Sequence, residues 1–455
     1  MLSPAFGLIL IAVLLSIYLL RCLSSPLNNI PGPVLAKYTS WILKWHEFHA
    51  NRTRYIHALH LMYGPVVRIA PNEVAFASQG AVKEIYCSAG SGYDKTEFYD
   101  LFKAYGRRTM FTTLNKDDHA RRKRLLADRY ANSNVVRQPS LSGIAERASS
   151  FGQICAQSVG GSLDLFADEE IMKEVAFDDS LQNRLVQYYS PTVHKLVAKA
   201  LYLFAKPRET PLADRFVLEA SAQADVAPFT LVSRLHEKES AALDSLDVAA
   251  ECLDHMAAGI DTTGDALCFL MWELSQPRSF RFQQRLQREL LEAGPETPFD
   301  KLPFLDAVVM EGLRCFPAIP MSLPRFVPLG GREIDGFFLP EGTIVSCQAY
   351  SLHRINEEVF PQPDLFNPER WMEREGDAQR RRLMFAFANG GRGCVGKHLA
   401  LAEMKLLLRE VYSRFTTLPD PTMTEESMAM SDQLISSRPL GARCLLSFSP
   451  IALED

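Results

Sequence analysis

The sequence lacks the patterns that would link it to disulfide scaffolds, zinc sites or nucleic acids. Its nine cysteines are spread over 455 residues and include no CxxC pair, which argues against a disulfide framework or a zinc site and indicates a reducing compartment. A formal net charge of −5 gives no basic excess for binding nucleic acid. There is no fixed-period repeat, low-complexity tract, or flavin or nicotinamide motif. Electrons for any redox chemistry would therefore come from another protein.

Charged side chains are missing from the first twenty residues, MLSPAFGLILIAVLLSIYLL. About 20 helical residues cross a bilayer core of about 30 Å, so residues 1–21 are predicted to be a transmembrane anchor. A cleaved signal peptide is the alternative, but no basic segment precedes the apolar run and no clear small-x-small site follows it. Arg21 and Lys37 place the following domain in the cytosol under the positive-inside rule.

Three prolines in SSPLNNIPGPVLAKY predict an extended, stiff hinge over residues 22–40. No comparable linker interrupts the rest, so residues 41–455 are predicted to form one domain. Helical spacing dominates there, as in FRFQQRLQRELLEAG. Strand patterns are confined to VVRIAPNEVAFAS, REIDGFFLPEGTIVSCQAY and ARCLLSF. The predicted fold class is mainly α with a small β portion.

The glycine-rich stretch FANGGRGCVGKHLA (387–400) admits three interpretations. Gly391 to Lys397 spells G-x-x-x-x-G-K, but His398 replaces the Ser or Thr that a phosphate loop needs for Mg²⁺. That motif also needs a parallel βαβ sheet, and little chain follows. The loop could instead present Cys394 for chemistry, or hold it as a small buried structural residue.

The stretch from Ser245 to Ser275 predicts a helix that is apolar on nearly every side, and so is buried in the centre of the domain. Its middle nevertheless carries Asp261, Thr262 and Thr263. Buried polar groups are costly unless they have partners. These residues form either a satisfied polar kink or an opening in the helix where a small ligand and protons bind.

Two further charge patterns lie between that helix and the cysteine loop. Glu311 and Arg314 are three residues apart, so they share a helix face and can pair. A buried pair would need another partner, for which Arg370 in FNPERW is a candidate. Taken singly, each pattern is also compatible with ordinary surface charge.

Together these motifs resemble the haem-thiolate monooxygenases, the cytochrome P-450 family, and specifically its fungal microsomal members. Four signatures occur in the family's order: AGIDTT, the E-x-x-R pair, PERW, and the ligand loop F-x-x-G-x-R-x-C-x-G. The resemblance is firm from about Leu246 to Pro450 and also covers the N-terminal run, the proline stretch and the GPVVRIAPNEV hairpin. It implies the cytochrome P-450 fold with an N-terminal transmembrane helix.

The resemblance implies that haem b is the cofactor and that Cys394 is the axial ligand of its iron. A thiolate ligand favours O–O cleavage, and the loop should offer N–H groups and positive charge near the sulfur. Phe387 would pack beside the sulfur, Gly396 would let the backbone approach closely, and Arg392 would pair with a haem propionate. His398 is interpreted as structural.

The resemblance also assigns roles outside the loop. Thr262 would hold oxygen in hydrogen-bond reach and Asp261 would relay protons. Glu311, Arg314 and Arg370 would form a structural triad that supports the cysteine loop. Arg325, His119 and Lys123 would bind the propionates, although the family more often has Arg at the position of Lys123.

Electrons are expected from NADPH through a separate reductase. Arg380, Arg381 and Arg382, with Arg121, Arg122 and Arg124, are predicted to form a basic docking face for an acidic reductase; a solvated charge run is the alternative. The family resemblance implies a single-pass protein of the endoplasmic reticulum membrane with a cytosolic catalytic domain.

The leading functional hypothesis is insertion of one oxygen atom from O₂ into an apolar small molecule, with fungal secondary metabolism as a plausible setting. A haem-thiolate isomerase or dehydratase that uses no O₂, and a non-enzymatic haem- or ligand-binding relative, are the alternatives. A mostly apolar pocket is expected to be lined by Ala318, Ile319, Met321 and Ser322 and by the segment 434–437. No motif matches the region 128–244, which is shorter than the family predicts; a shortened lid or a segment missing from the gene sequence would explain this.

Overall fold

The computed structural model describes residues 4–87, 92–157, 174, 180–204, 209–223, 225–226 and 230–451. The helices up to the centre of the chain are α1 (Pro4–Leu23), α2 (Trp41–Phe48), α3 (Arg52–Tyr63), α4 (Gln79–Val82), α5 (Lys116–Leu126), α6 (Asn132–Val135), α7 (Gln138–Gln157), α8 (Leu181–Tyr189), α9 (Pro191–Leu201), α10 (Pro211–Ala222) and α11 (Leu231–Ala242). They are followed by α12 (Ser245–Leu274), α13 (Phe280–Ala293), α14 (Pro303–Cys315), α15 (Ala349–Leu352), α16 (Asp377–Leu383) and α17 (Lys397–Tyr412).

The strands are short and local. They are β1 (Val66–Ala70), β2 (Glu73–Phe76), β3 (Arg325–Phe326), β4 (Arg332–Ile334), β5 (Phe337–Leu339), β6 (Ile344–Cys347), β7 (Phe415–Pro419), β8 (Met430–Asp432), β9 (Ser437–Pro439) and β10 (Leu446–Pro450). One sheet has the order β1-β2-β6-β3, and β4/β5, β7/β10 and β8/β9 form antiparallel pairs. The predicted fold class, mainly α with a small β portion, is confirmed.

The predicted strands form where their turn residues allow it. β1 and β2 pair antiparallel across the Pro71-Asn72 turn, and β4 and β5 pair across the turn at Asp335-Gly336. At that turn Asp335 and Gly336 have φ values of 49° and 81°, a conformation that Asp and Gly adopt more readily than other residues.

Helix α12 lies at the centre of the domain. It begins at a capping box in which the Asp244 side chain accepts the N–H of Asp247 and the Asp247 side chain accepts the N–H of Asp244. α10, α11, α13, α14, α17 and the strands β7 and β9 contact it. Its C-terminal half carries Leu270 and Leu274, which are fully buried in the main hydrophobic core.

Two predictions for the N-terminal region do not hold. Among the described residues, no helix combines the length and the apolar character needed to cross a membrane, so the anchor predicted over residues 1–21, and with it the transmembrane helix of the predicted fold, is not supported. The proline-rich stretch is not extended, because Pro26–Asn29 and Val34–Lys37 form 3₁₀ helices. Leu27 and Ile30 are buried in the main core, so this stretch packs on the domain.

Candidate active site

The cysteine loop joins α16 to α17 and is built on a glycine. Gly390 has a φ of +70°, and a Cβ atom there would lie 2.0 Å from the carbonyl oxygen of Tyr86, so no other residue fits. The N–H of Cys394 donates to the carbonyl oxygen of Phe387 at 2.8 Å. A helix, not a strand, precedes the loop, so the phosphate-loop interpretation is wrong.

The Cys394 thiol lies among groups that favour its anion. Cys394 is exposed at the surface. Nearby protein atoms nevertheless remove water from around its sulfur, and this desolvation raises the pKa of the thiol. The backbone N–H groups of Gly396 and Lys397 and the ammonium groups of Lys123 and Lys397 act in the opposite direction. The N–H groups and positive charge expected near the sulfur are therefore present.

Lys123 joins helix α5 to this loop. Its Nζ atom donates to the carbonyl oxygens of Gly391 at 3.0 Å and Gly393 at 3.2 Å. The lysine therefore fixes the loop backbone as well as supplying charge to the sulfur. Its predicted propionate contact remains a prediction, because both of these bonds are made to carbonyl groups of the protein.

Five basic side chains converge beside the loop from four parts of the chain. Lys95, His119 and Arg325 are almost fully buried, and the side chain of Arg392 is 9% exposed. Burial, followed by the charges of Lys95, Arg392, Lys123 and Arg325, lowers the pKa of His119 to about 2. Burial and the charge of Arg325 lower the pKa of Arg392 to about 10. These mutual effects mark the groups as one cluster of basic side chains.

The cluster is rich in aromatic contacts and poor in carboxylates. Arg325 Nη1 donates to the Tyr99 hydroxyl at 2.7 Å, and Lys95 Nζ lies 4.4 Å from the centre of the Tyr99 ring. The Arg392 guanidinium lies 3.5 Å from a carboxylate oxygen of Asp94. Nε and Nη1 of Arg392 are buried without a hydrogen-bond partner among the described residues. Buried cations are costly unless anions compensate them, so the cluster fits a ligand with two carboxylates, as haem has.

Lys95 belongs to this cluster but the sequence analysis did not identify it. Burial, followed by the charges of Arg325 and Arg392, lowers the pKa of the Lys95 ammonium well below its ordinary value. Its backbone forms an antiparallel bridge with Arg325. No motif spacing marks this lysine in GYDKTEFYD, because the bridge joins residues far apart in the chain.

Helix α12 is continuous through AGIDTT. The Thr262 hydroxyl donates to the carbonyl oxygen of Ala258 at 2.6 Å, so its donor is engaged within the helix and its lone pairs remain available. A Cβ atom at Gly259 would meet nothing within 4 Å. The helix backbone is therefore unbroken here, and the space beside Gly259 is open.

A second acid follows Asp261 on the same face of α12. Asp265 is four residues further along, and burial raises the pKa of its carboxyl to about 7, an effect that Arg438 opposes and Asp261 reinforces. Arg438 belongs to β9, which packs on α12. No motif in the sequence marks Asp265, because only its burial distinguishes it from a surface acid.

The triad residues contact each other in the core. Arg314 binds both carboxylate oxygens of Glu311 at 2.9 Å, and Arg370 Nε donates to Glu311 at 3.0 Å. Trp371 Nε1 and the backbone N–H of Asn367 each donate to Glu311 at 2.9 Å. Burial raises the pKa of Glu311, but these bonds and charges outweigh it and lower the pKa. The Glu311–Arg314 pair is therefore not a surface ion pair, and Glu311 has further hydrogen-bond partners.

His353 extends this network to the cysteine loop. Its Nε2 accepts the backbone N–H of Phe385 at 2.8 Å, so Nδ1 carries the proton and donates to the carbonyl oxygen of Arg314 at 3.0 Å. Burial lowers the pKa of His353 to about 3. No motif in the sequence marks this residue.

The expected pocket segments meet, but the predicted docking face is partly wrong. The N–H of Ser437 donates to the carbonyl oxygen of Ala318 at 3.1 Å, which joins the two segments.

In the predicted docking face, Arg380 is buried, and its guanidinium binds the carbonyl oxygens of Glu373 and Glu375. Arg122 forms an ion pair with the buried carboxylate of Glu251.

The remaining predicted basic residues are at the surface. Arg121, Arg124, Arg381 and Arg382 are exposed. Arg121 and Arg381 pair with neighbouring acids of their own helices. His398 is also exposed.

Comparisons with known proteins identify the family to which the chain is similar. The family model described as "Cytochrome P450" matches residues 192–445. The "Cytochrome P450 monooxygenase stcB" of Emericella nidulans is 27% identical, over 93% of this chain and 89% of its own length. The "Cytochrome P450 monooxygenase tazI" of Aspergillus terreus is 28% identical, over 96% of this chain and 97% of its own. The "Cytochrome P450 monooxygenase efuB" of Hormonema carpetanum is 30% identical, over 88% and 87%.

Proposed function

This chain belongs to the cytochrome P450 family, and from that premise we propose that it inserts one oxygen atom from O₂ into an apolar small molecule. The family and its relatives make it an oxidoreductase with a haem cofactor. The observation that carries the proposal is the Cys394 thiol beside a cluster of five basic side chains, four of which are largely buried. A thiolate-bound haem iron supplies O–O cleavage when the group is bound.

The residues of the site would have separate roles in binding the cofactor. We assign Cys394 as the axial ligand, with the N–H groups of Gly396 and Lys397 stabilising its anion. Arg392, Arg325 and Lys95 would hold the propionates, and His119, with a pKa lowered to about 2, would be a neutral hydrogen-bond partner. Phe387 would shield the sulfur from water.

On α12, Thr262 and Asp261 would deliver protons. The Thr262 hydroxyl, fixed by Ala258, can accept a hydrogen bond and orient a water. Asp265 has a carboxyl whose pKa of about 7 lets it both bind and release a proton near neutral pH. We therefore include Asp265 as a second proton carrier behind Asp261.

The test is turnover with NADPH, a fungal reductase and O₂. Product that forms only when all three are present supports a monooxygenase; turnover of a peroxide substrate without NADPH would favour the isomerase or dehydratase alternative. Thr262→Ala should divert NADPH consumption into hydrogen peroxide, while Thr262→Ser should restore coupling. Unchanged coupling in Thr262→Ala would contradict the proton-delivery role. Asp265→Asn should shift the pH profile of product formation.

For the setting, we propose fungal secondary metabolism and association with the endoplasmic reticulum membrane, with the catalytic body cytosolic. The support for the first is the fungal origin of the relatives. The support for the second is the exposed apolar surface of α1 and α9, where Leu8, Leu20 and Leu196 are each more than 60% exposed. Removal of α1 should move the protein from the microsomal to the soluble fraction.

A further inference from the structure

Two cysteines far apart in the sequence contact each other outside the haem site. Cys268 lies on α12, and Cys444 lies in the segment between β9 and β10. The thiols share a side-chain hydrogen bond, and Cys444 Sγ donates to the carbonyl oxygen of Cys268 at 3.6 Å. A disulfide requires the two side chains to approach directly, and the hydrogen bond between the thiols places these side chains next to each other.

The pair lies close to the proposed proton path. Asp261, Asp265 and Cys268 are spaced by four and three residues and so share one face of α12. Cys444 adjoins a satellite cluster formed by Phe269, Trp272, Met423 and Met428. Both thiols are only partly buried, so a small oxidant can reach them.

We propose that Cys268 and Cys444 are a redox modification site, at which hydrogen peroxide forms a reversible disulfide between α12 and the segment before β10. The oxidant has a local source, because a monooxygenase that fails to couple electron transfer to product releases hydrogen peroxide. The source of the peroxide rests on the proposed function. The reaction of the two thiols with peroxide does not depend on it.

The thiols have different roles in the reaction. The hydrogen bond from Cys268 lowers the pKa of the Cys444 thiol, whereas the same bond and burial raise the pKa of Cys268. Cys444 also lies in the segment between β9 and β10, whereas Cys268 lies within the central helix. We assign Cys444 as the thiolate that attacks peroxide. It becomes a sulfenic acid as the O–O bond breaks and hydroxide leaves.

The Cys268 sulfur then attacks the Cys444 sulfur. The S–S bond forms, the S–O bond breaks, and the thiol proton leaves with the hydroxyl group as water. The net reaction converts two thiols and one hydrogen peroxide into one disulfide and two waters. The cross-link ties the strand β9, which contacts α12, and the adjoining pocket segment 434–437 to the central helix.

The experiment treats the reduced holoenzyme with hydrogen peroxide and maps its peptides without reduction by mass spectrometry. We expect a linked pair of peptides containing Cys268 and Cys444, a loss of two free thiols, and recovery of both with dithiothreitol. The unfolding temperature should rise on oxidation and fall on reduction, because the bond closes a long loop. Cys444→Ser should lose all three effects, while Cys87→Ser, at an exposed cysteine, should keep them.

The source of peroxide is tested by turnover with NADPH and reductase in place of added peroxide. Cross-linking that catalase suppresses supports the proposal. Cross-linking with added peroxide in a protein that shows no turnover also supports the disulfide, although it would contradict the proposed function. Oxidation of Cys444 to a sulfinic acid with Cys268 left as a thiol, or no change at either, would overturn the inference.

Discussion

His353 Nε2 accepts the backbone N–H of Phe385 at 2.8 Å, which couples the triad to the first part of the cysteine loop. The ring must be neutral to accept this bond, and burial lowers its pKa to about 3 from an ordinary value of 6.5. Below about pH 6.5 the unfolded chain binds a proton that the folded chain does not. His353 therefore makes the protein lose stability as pH falls from about 6.5 to about 3.

The first prediction concerns this bond. His353→Ala leaves the N–H of Phe385 and the carbonyl of Arg314 without partners, which should cost about 1–3 kcal/mol for each buried group. The free energy of unfolding, measured by urea denaturation between pH 4 and pH 8, should be lower in the variant and should depend less on pH. An unchanged pH dependence would show that His353 titrates normally in the folded protein.

The second prediction concerns the Glu311 carboxylate, which accepts bonds from Arg314, Arg370, Trp371 and the backbone of Asn367. Glu311→Ala leaves buried cations unpaired and should cost about 3–5 kcal/mol of stability, with loss of bound haem. Arg215→Ala, which breaks an exposed pair with Glu219, is the control and should cost at most about 0.5 kcal/mol. Equal losses in denaturation experiments on the two variants would refute the network.

The third prediction separates two neighbouring glycines. Gly390→Ala should prevent haem incorporation, because its Cβ atom would lie 2.0 Å from the carbonyl oxygen of Tyr86. Gly391→Ala adds a Cβ atom that meets nothing within 4 Å, so haem content should stay near that of the original protein. Haem content per chain, from absorbance and protein concentration, tests the pair. Normal haem content in Gly390→Ala would contradict the described loop.

The fourth prediction separates two neighbouring arginines. Arg382→Glu, at an exposed position, should slow reduction by the reductase and flatten its dependence on salt. Arg380→Gln should instead lower the unfolding temperature, because the buried Arg380 guanidinium binds the carbonyl oxygens of Glu373 and Glu375. Stopped-flow reduction and thermal unfolding distinguish these effects. An unchanged reduction rate in Arg382→Glu would remove this residue from the docking face.

Patterns of short range predicted much of the fold. The spacing of apolar residues predicted α12 and α13, and turn residues predicted β1 and β2. This works because the hydrogen bonds of these elements join residues close in the chain. The motif resemblance brought Glu311, Arg314 and Arg370 together, and the structure places them in contact.

Contacts of long range account for what the sequence did not predict. Lys95 joins the cation cluster through a bridge to Arg325, and His353 reaches Phe385 across 32 residues. The sequence places Arg380 in a charge run, but carbonyl groups of the segment that precedes its helix bind its guanidinium. These outcomes depend on tertiary burial, which no local spacing encodes.

The central claim is that Cys394 is the thiolate ligand of haem iron, and the carbon monoxide complex of the reduced holoprotein tests it most directly. Thiolate ligation moves the main absorption band of that complex to a longer wavelength than histidine ligation gives. We predict the thiolate spectrum for the original protein and its loss in Cys394→Ser, with Cys87→Ser unchanged as the control. A spectrum like that of a histidine-bound globin, or no haem uptake, would contradict the account.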